Sequence, residues 1–508
     1  MKVAIVHSRG CMGIQAPAIR VEVHLSGGLP STQIVGLPAA AVRESRDRVR
    51  AALLSTQFKF PTRRITINLA PADIPKEGSR FDLPIALGIL AASEQIPTTD
   101  LDQIEFLGEL GLTGELCAVD GVLPAVVAAW QQGKRCVVPS ANASEAALAH
   151  TATAYIAKSL VEVCTALRGQ QPWQEARLDE QRQKNNKHDR QDISAVCGQV
   201  HAKRALEITA AGGHHLLLIG PPGCGKTLLA SCLPNLLPEM TEEEALETAA
   251  IFSISNTGRI ELSRWRDRPF RSPHHSASAV ALVGGGRHPR PGEISLAHHG
   301  VLFLDELTEW QRQTLEMLRE PLESGIIRIA RAQEHLSFPA RFQLVAAMNP
   351  CPCGWAGDPS GRCHCTPGCI ERYLHRLSGP LLERIDLQVN VPRIAAHHLL
   401  NAEQSKEHSS ASLRHRILQA RRVQLNRSNC LNAHLKPDAL KTHCSLQREQ
   451  QRFLESVIDQ LQLSGRTAHR IIRVARTIAD LDQQELIENQ HLNEAIGFRL
   501  IEQRISSA

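Results

Sequence analysis

The chain has 508 residues, 43% hydrophobic and 21% charged, with a net charge of +5. Those values fit a soluble globular protein of about three or four domains, and the mild basic excess permits nucleic-acid binding without arguing for it. No apolar run approaches the ~18 residues needed to span a bilayer, and the N-terminus lacks the pattern of a secretory signal. The expectation is a cytoplasmic protein whose 14 cysteines are free thiols or metal ligands rather than disulfides.

Residues 1–169 read as an α/β domain. Val21, Val23 and Leu25 alternate with polar residues, as do Ile65, Ile67 and Leu69, and both patterns predict half-buried strands. Helices are expected near 39–54, 82–94 and 122–132. Residues 170–192 are rich in Gln, Arg, Lys, Asn and Asp and nearly free of aliphatics, as in a linker.

A second α/β domain is expected over 193–394. Its apolar runs at 215–219, 301–304 and 342–347 predict a parallel sheet covered on both faces. Thr241 and Glu244 have the spacing of a capping box. Residues 395–508 read as all-helical, with Leu454, Val457, Ile458 and Leu461, then Ile471, Ile472, Ala475 and Ile478, at helical spacing.

After the first of those apolar runs comes Gly220-Pro221-Pro222-Gly223-Cys224-Gly225-Lys226-Thr227, a phosphate loop in the strand-to-helix context the motif requires. Glycines let backbone amides face phosphates, Lys226 would meet the β- and γ-phosphates of ATP, and Thr227 would hold Mg²⁺. Asp305 and Glu306 end the apolar run 301–304, where Asp305 can support Mg²⁺ and Glu306 can activate water. A solvated strand end is the bland reading of that pair taken alone. Asn349 ends the next run and would stand beside the γ-phosphate, or simply start an Asn-Pro turn.

Five cysteines, Cys351, Cys353, Cys363, Cys365 and Cys369, fall within a 351–369 insert that also holds His364. Cys351, Cys353, Cys363 and Cys365 are the first choice for a Zn²⁺ site, with Cys369 or His364 as substitutes. A loop of reduced thiols is the alternative. Arg287 and Arg290 lie in a glycine-rich basic loop, Arg328 and Arg331 on an arm of an expected hairpin, and Arg259 at a loop tip. These five arginines are candidates for DNA phosphate contacts, against the plainer roles of solvated surface or subunit contact.

The phosphate loop, Asp305-Glu306, Asn349 and Leu381-Leu382-Glu383-Arg384-Ile385-Asp386 together resemble AAA+ ATPases. Phe270-Arg271-Ser272-Pro273-His274-His275-Ser276 and the segment 291–300 resemble the magnesium-chelatase-like branch, and the whole chain resembles its ComM (YifB) group. The resemblance implies an AAA+ P-loop α/β core, a helical C-terminal lid, and a ring, usually a hexamer, with ATP sites between subunits. Arg384 then matches a finger reaching a neighbour's γ-phosphate, or instead pairs with Asp386. Arg466 matches a lid arginine that senses nucleotide, with Arg470 one turn on as the competitor.

The segments 75–84 and 108–124 resemble those around the Ser–Lys dyad of Lon proteases, a ribosomal S5 domain 2-like fold. Arg80 stands at the serine position and Leu123 at the lysine position, so no peptidase activity is expected. The group's implied work is branch migration of DNA in homologous recombination, including integration of DNA in natural transformation. Its implied partners are single-stranded and branched DNA and the recombinase machinery. The rival readings are metal insertion, as by magnesium chelatase, and another protein-remodelling motor.

Overall fold

The structure is a computed structural model that describes residues 3–177, 191–255, 264–286, 289–330, 335–394 and 409–499. Arg259, Arg287 and Arg331 lie outside the described residues.

The N-terminal body is built on a mixed sheet of eight strands: β1 (Val3–Arg9), β2 (Ala18–Ser26), β3 (Ser31–Val35), β4 (Arg64–Ala70), β5 (Ile104–Phe106), β6 (Arg135–Pro139), β7 (Ala154–Ala157) and β8 (Gln174–Glu175). Their order is β8-β7-β6-β5-β1-β2-β4-β3. The two alternating segments of the sequence became β2 and β4. They pair antiparallel with Val21 opposite Leu69, Val23 opposite Ile67 and Leu25 opposite Ile65, so one register puts all six on the same face. Against that face packs α2 (Asp82–Ala92), buried along nearly its whole length. α1 (Ala40–Ser55) lies beside it, and Arg48 reaches across to the buried Asp82 at 2.7 Å.

The polar segment 170–192 is not wholly a linker. Trp173 stacks on Tyr155 at 5.2 Å, and Gln174–Glu175 add an edge strand against β7. A single aromatic in a polar run anchors it.

The second sheet is entirely parallel. It consists of β9 (Leu216–Ile219), β10 (Phe270–Arg271), β11 (Val301–Leu304), β12 (Gln343–Met348) and β13 (Leu387–Asn390), in the order β10-β11-β12-β9-β13. β9 and β11 are buried throughout, as a sheet covered on both faces requires. One face is covered by α5 (Val200–Gly212), α6 (Lys226–Leu236) and the C-terminal helices. α7 (Glu242–Ser253) starts at the expected capping box, with Thr241 and Glu244 each bonded to the other's backbone amide. α8 (Pro367–Leu374) precedes β13, and beyond that strand the described C-terminal part is helical: α9 (Ser410–Ser428), α10 (Arg448–Leu461), α11 (Gly465–Leu481) and α12 (Asn489–Gly497). This is a mixed α/β architecture with a parallel-dominated core sheet and a helical C-terminal region.

The two bodies share apolar contacts. α3 (Val122–Gln131) packs Val122, Val126 and Ala129 with Ala245, Ala249 and Trp265, and the Gly121 amide donates to Ser253 at α7's end. Met12 and Ile14 pack on Leu336 and Phe338 of a hairpin, Ile326–Ala330 with His335–Pro339, that fills the place expected for one.

A close approach of α2 to β2 in the N-terminal body predicts a stability effect. A Cβ on Gly88 would stand 2.5 Å from Val23 Cγ2. Gly88→Ala is therefore expected to destabilise by about 1–3 kcal/mol through overpacking. In chemical denaturation, Val23→Ala added to Gly88→Ala should cost less than the sum of the two single changes, the sign of a shared contact.

Candidate active site

Parallel strands bring their C-terminal ends to one edge, so the loops after β9, β11 and β12 meet there. The phosphate loop follows β9. Gly223 and Gly225 hold φ of +74° and +92°, a region closed to most side chains, and Gly225 caps α6. Gly220 has a second constraint, because a Cβ there would lie 2.2 Å from the Val391 carbonyl oxygen.

Lys226 opens α6 with only 9% of its surface exposed. Its ammonium donates to the carbonyls of Gly220 at 2.7 Å and Pro221 at 3.0 Å, and to Asn349 Oδ1 at 3.1 Å. Burial pushes Lys226 below its usual range, against the pull of Cys224, Asp305 and Glu306. Thr227 donates its hydroxyl to Asp305 Oδ2 at 2.9 Å. A hydroxyl and a carboxylate converging on one point suit a hard divalent cation such as Mg²⁺. The Glu306 amide donates to Asp305 Oδ1 at 2.9 Å, and the indole of Trp310 holds the Asp305 carbonyl at 3.0 Å.

Glu306 sits in the left-handed region at φ +49°, and its carboxylate is half exposed. Its partner is His275, whose Nδ1 lies 3.0 Å from Glu306 Oε2. His275 was visible in the sequence only as part of a family motif, with no role attached. Gln199 was not anticipated at all. It caps α5 and donates to Pro392 O at 2.7 Å and Cys224 O at 3.5 Å, joining the phosphate loop to the end of β13. Gly198-Gln199 before a helix was the available signal.

The second group of candidates lies just before β13 and in α11. Arg384 is 8% exposed and pairs with Glu323, with a further bond to Pro380 O at 2.6 Å. It does not pair with Asp386. That carboxylate takes Arg470 at 2.6 Å and the His215 amide at 3.0 Å, and Arg470 also holds the Arg384 carbonyl at 2.8 Å. Burial alone would raise Asp386, but the Arg470 guanidinium and His214 hold it well below the usual carboxylate range. Arg466 is exposed in the first turn of α11, behind the Ser464 cap. Arg470 is thus built into an ion pair, whereas Arg466 is presented to solvent.

Cys351, Cys353, Cys363 and Cys365 bring their sulfurs within 4.8 Å of one another; His364 is exposed, and neither it nor Cys369 is in that group. Cys351 lies 3.3 Å from Cys353 and 3.8 Å from Cys363, and Cys353 lies 3.6 Å from Cys363. A tetrahedral Zn–S bond of about 2.3 Å gives a sulfur–sulfur edge of roughly 3.8 Å, so the donor set fits one Zn²⁺.

Arg290 makes an ion pair with Asp120 of the N-terminal body at 3.4 Å, and Arg328, 68% exposed on the hairpin, pairs with Glu320 at 3.1 Å. At the Lon-type positions, Arg80 is buried against the carbonyls of Gly10 and Asp120, Ser79 donates to Glu109, and Leu123 is buried in the apolar core. Among the described residues no amine is bonded to the Ser79 hydroxyl.

Three family descriptions match the chain: "Magnesium chelatase, subunit ChlI" over residues 192–399, "Subunit ChlI of Mg-chelatase" over 21–142, and "Magnesium chelatase, subunit ChlI C-terminal" over 407–499. The chain is 50% identical over 501 residues to competence protein ComM of Haemophilus influenzae, covering 98% of each chain. It is 49% identical over 502 residues to the uncharacterized protein YifB of Escherichia coli, covering 99% of this chain and 98% of that one. To the magnesium-chelatase 38 kDa subunit of Cereibacter sphaeroides it is 28% identical over 177 residues, 31% of this chain and 52% of the relative.

The Arg470–Asp386 pair gives Arg470 a structural place in the fold. Removing Arg470 leaves a buried carboxylate unpaired, so Arg470→Leu should destabilise by about 3–5 kcal/mol at neutral pH. In the wild type, Asp386's folded value is lowered, so its stabilisation is present above the unfolded carboxylate range and is lost as pH falls through the folded value. In the variant, protonation relieves the unpaired charge, so the stability gap measured by urea denaturation should narrow from pH 7 to pH 4.

Proposed function

Since this chain belongs to the magnesium-chelatase-like AAA+ family, in the group of its ComM and YifB relatives, we propose that it is an ATP-hydrolysing motor that moves DNA branch points during homologous recombination, as in the integration of DNA by competent cells. The observation that carries the ATPase reading is the convergence of Lys226, Asn349, Thr227, Asp305 and Glu306 at one sheet edge. Similarity to a competence protein along nearly the whole chain supports DNA as the client, while similarity to the chelatase subunit spans less than a third of the chain.

In this reading Lys226 exchanges its carbonyl partners for the β- and γ-phosphates. Thr227 and Asp305 hold Mg²⁺. Glu306 turns from His275 to orient the attacking water, and Asn349 steadies the γ-phosphate. In a hexameric ring Arg384 leaves Glu323 and reaches a neighbour's nucleotide, where such fingers are worth about 10³–10⁵ in rate. Arg466, free in the first turn of α11, senses the nucleotide within its own chain. Arg328 faces solvent on its hairpin and contacts phosphates without reading bases, together with Arg259, Arg287 and Arg331; Arg290 joins them when it leaves Asp120. The four clustered thiolates hold a Zn²⁺ ion.

Strand displacement on a forked or three-stranded DNA tests this reading. The wild type should move the branch in the presence of ATP. Lys226→Ala should be inactive, and Glu306→Gln should bind ATP yet hydrolyse it about 10²–10⁴ times more slowly. Equal mixtures of Glu306→Gln and Arg384→Ala chains should regain activity, because mixed interfaces restore one complete site. Hydrolysis without any DNA binding would instead favour a metal-insertion or protein-remodelling motor.

A further inference from the structure

Residues 351–366 contain no regular secondary structure, and only Cys351 and Gly354 among them are buried. A loop of that length with so little apolar burial does not offset its ordering entropy by packing. What it does contain is four convergent sulfurs. Cys351, Cys353 and Cys363 lie 3.3, 3.6 and 3.8 Å apart, far beyond a disulfide bond of about 2.05 Å, and the Cys365 sulfur falls within 4.8 Å of all three. They also leave room for one tetrahedral ion rather than a multi-iron cluster, which would drive the sulfurs apart. All-thiolate tetrahedral sites select zinc among non-redox metals.

The outer contacts are those of a ligand knot. The Ala356 amide donates to Cys351 Sγ at 3.3 Å, and the Gly354 amide closes a turn on the Cys351 carbonyl at 2.9 Å. The Arg362 and Arg393 guanidiniums lie over Trp355, at 5.0 and 6.0 Å from its ring centre. Such outer contacts orient ligands and tune the charge on sulfur.

The knot also touches the nucleotide site twice. Cys351 is two residues beyond Asn349, the partner of Lys226. Gly354, at φ +84°, lies so close to the phosphate loop that a Cβ there would stand 2.7 Å from Pro222 Cδ and 3.8 Å from Asn349 Cγ. We propose that Cys351, Cys353, Cys363 and Cys365 bind zinc as a clamp that presses this loop on Pro222 and holds Asn349 against Lys226, so that metal loading sets nucleotide affinity. The clamp rests on the reading of the Lys226 loop as an ATP site.

The test uses the full chain, purified reduced and without added chelator. Elemental analysis should find about one zinc per chain, as expected for one four-ligand site. Stripping with a mercurial thiol reagent and chelator, followed by thiol regeneration, should weaken binding of a fluorescent ATP analogue about tenfold, the scale of one lost hydrogen bond to a charged group. Zinc alone should restore it. Gly354→Ala keeps every thiol, so it should retain its zinc while binding the analogue about tenfold more weakly. A Cys363→Ser, Cys365→Ser double variant should lose both. A zinc-free chain with reduced thiols that binds nucleotide normally overturns the metal site. Equal affinity in loaded, stripped and Gly354→Ala protein overturns the clamp and spares the ATP site. Zinc without nucleotide binding in the wild type sinks the ATP reading and the affinity consequence together, leaving only the metal site.

Discussion

The site depends on one buried charge. Lys226 opens a helix at the edge of a parallel sheet, and its ammonium is met by two carbonyls and one side-chain amide. Among the described residues no carboxylate pairs with it. Burying a cation with only neutral partners is costly, and a polyphosphate delivered to the same place supplies the missing charge. Everything else at that edge follows from where the neighbouring strands end: Asp305 and Glu306 after β11, Asn349 after β12, and the end of β13 against Gly220.

Much of this was legible because it is local. Strands β2 and β4 announced themselves by alternation, the capping box by three-residue spacing, and the phosphate loop by its glycines. The four cysteines that converge are also the four first chosen from their spacing. What was hidden depends on tertiary partners. No spacing rule says that Arg470 rather than Arg384 takes Asp386, since the two arginines lie 86 residues apart. The same holds for His275 meeting Glu306, and for Trp173 drawing part of a polar segment into the N-terminal sheet. Composition reports the average tendency of a stretch, and one stacked ring can outweigh it.

The N-terminal body meets the second body at α7 and at the hairpin. The contacts are with α7 and with the hairpin that carries Arg328. Arg80 bonds two backbone carbonyls beside Gly121, and Gly121 in turn bonds α7. Arg80 thus serves as a brace between the two bodies. A shift of the hairpin would have to displace Met12 and Ile14 from Phe338, which gives the N-terminal body a mechanical link to the element proposed to touch DNA.

The most direct measurement is the steady-state rate of ATP hydrolysis as single-stranded DNA is added to the wild-type protein at low and moderate salt. The account predicts a basal rate that rises with DNA and saturates, with the half-saturating DNA concentration increasing steeply with salt as phosphate contacts are screened. A measurable basal rate that DNA leaves unchanged, with no DNA bound at either salt, would contradict it.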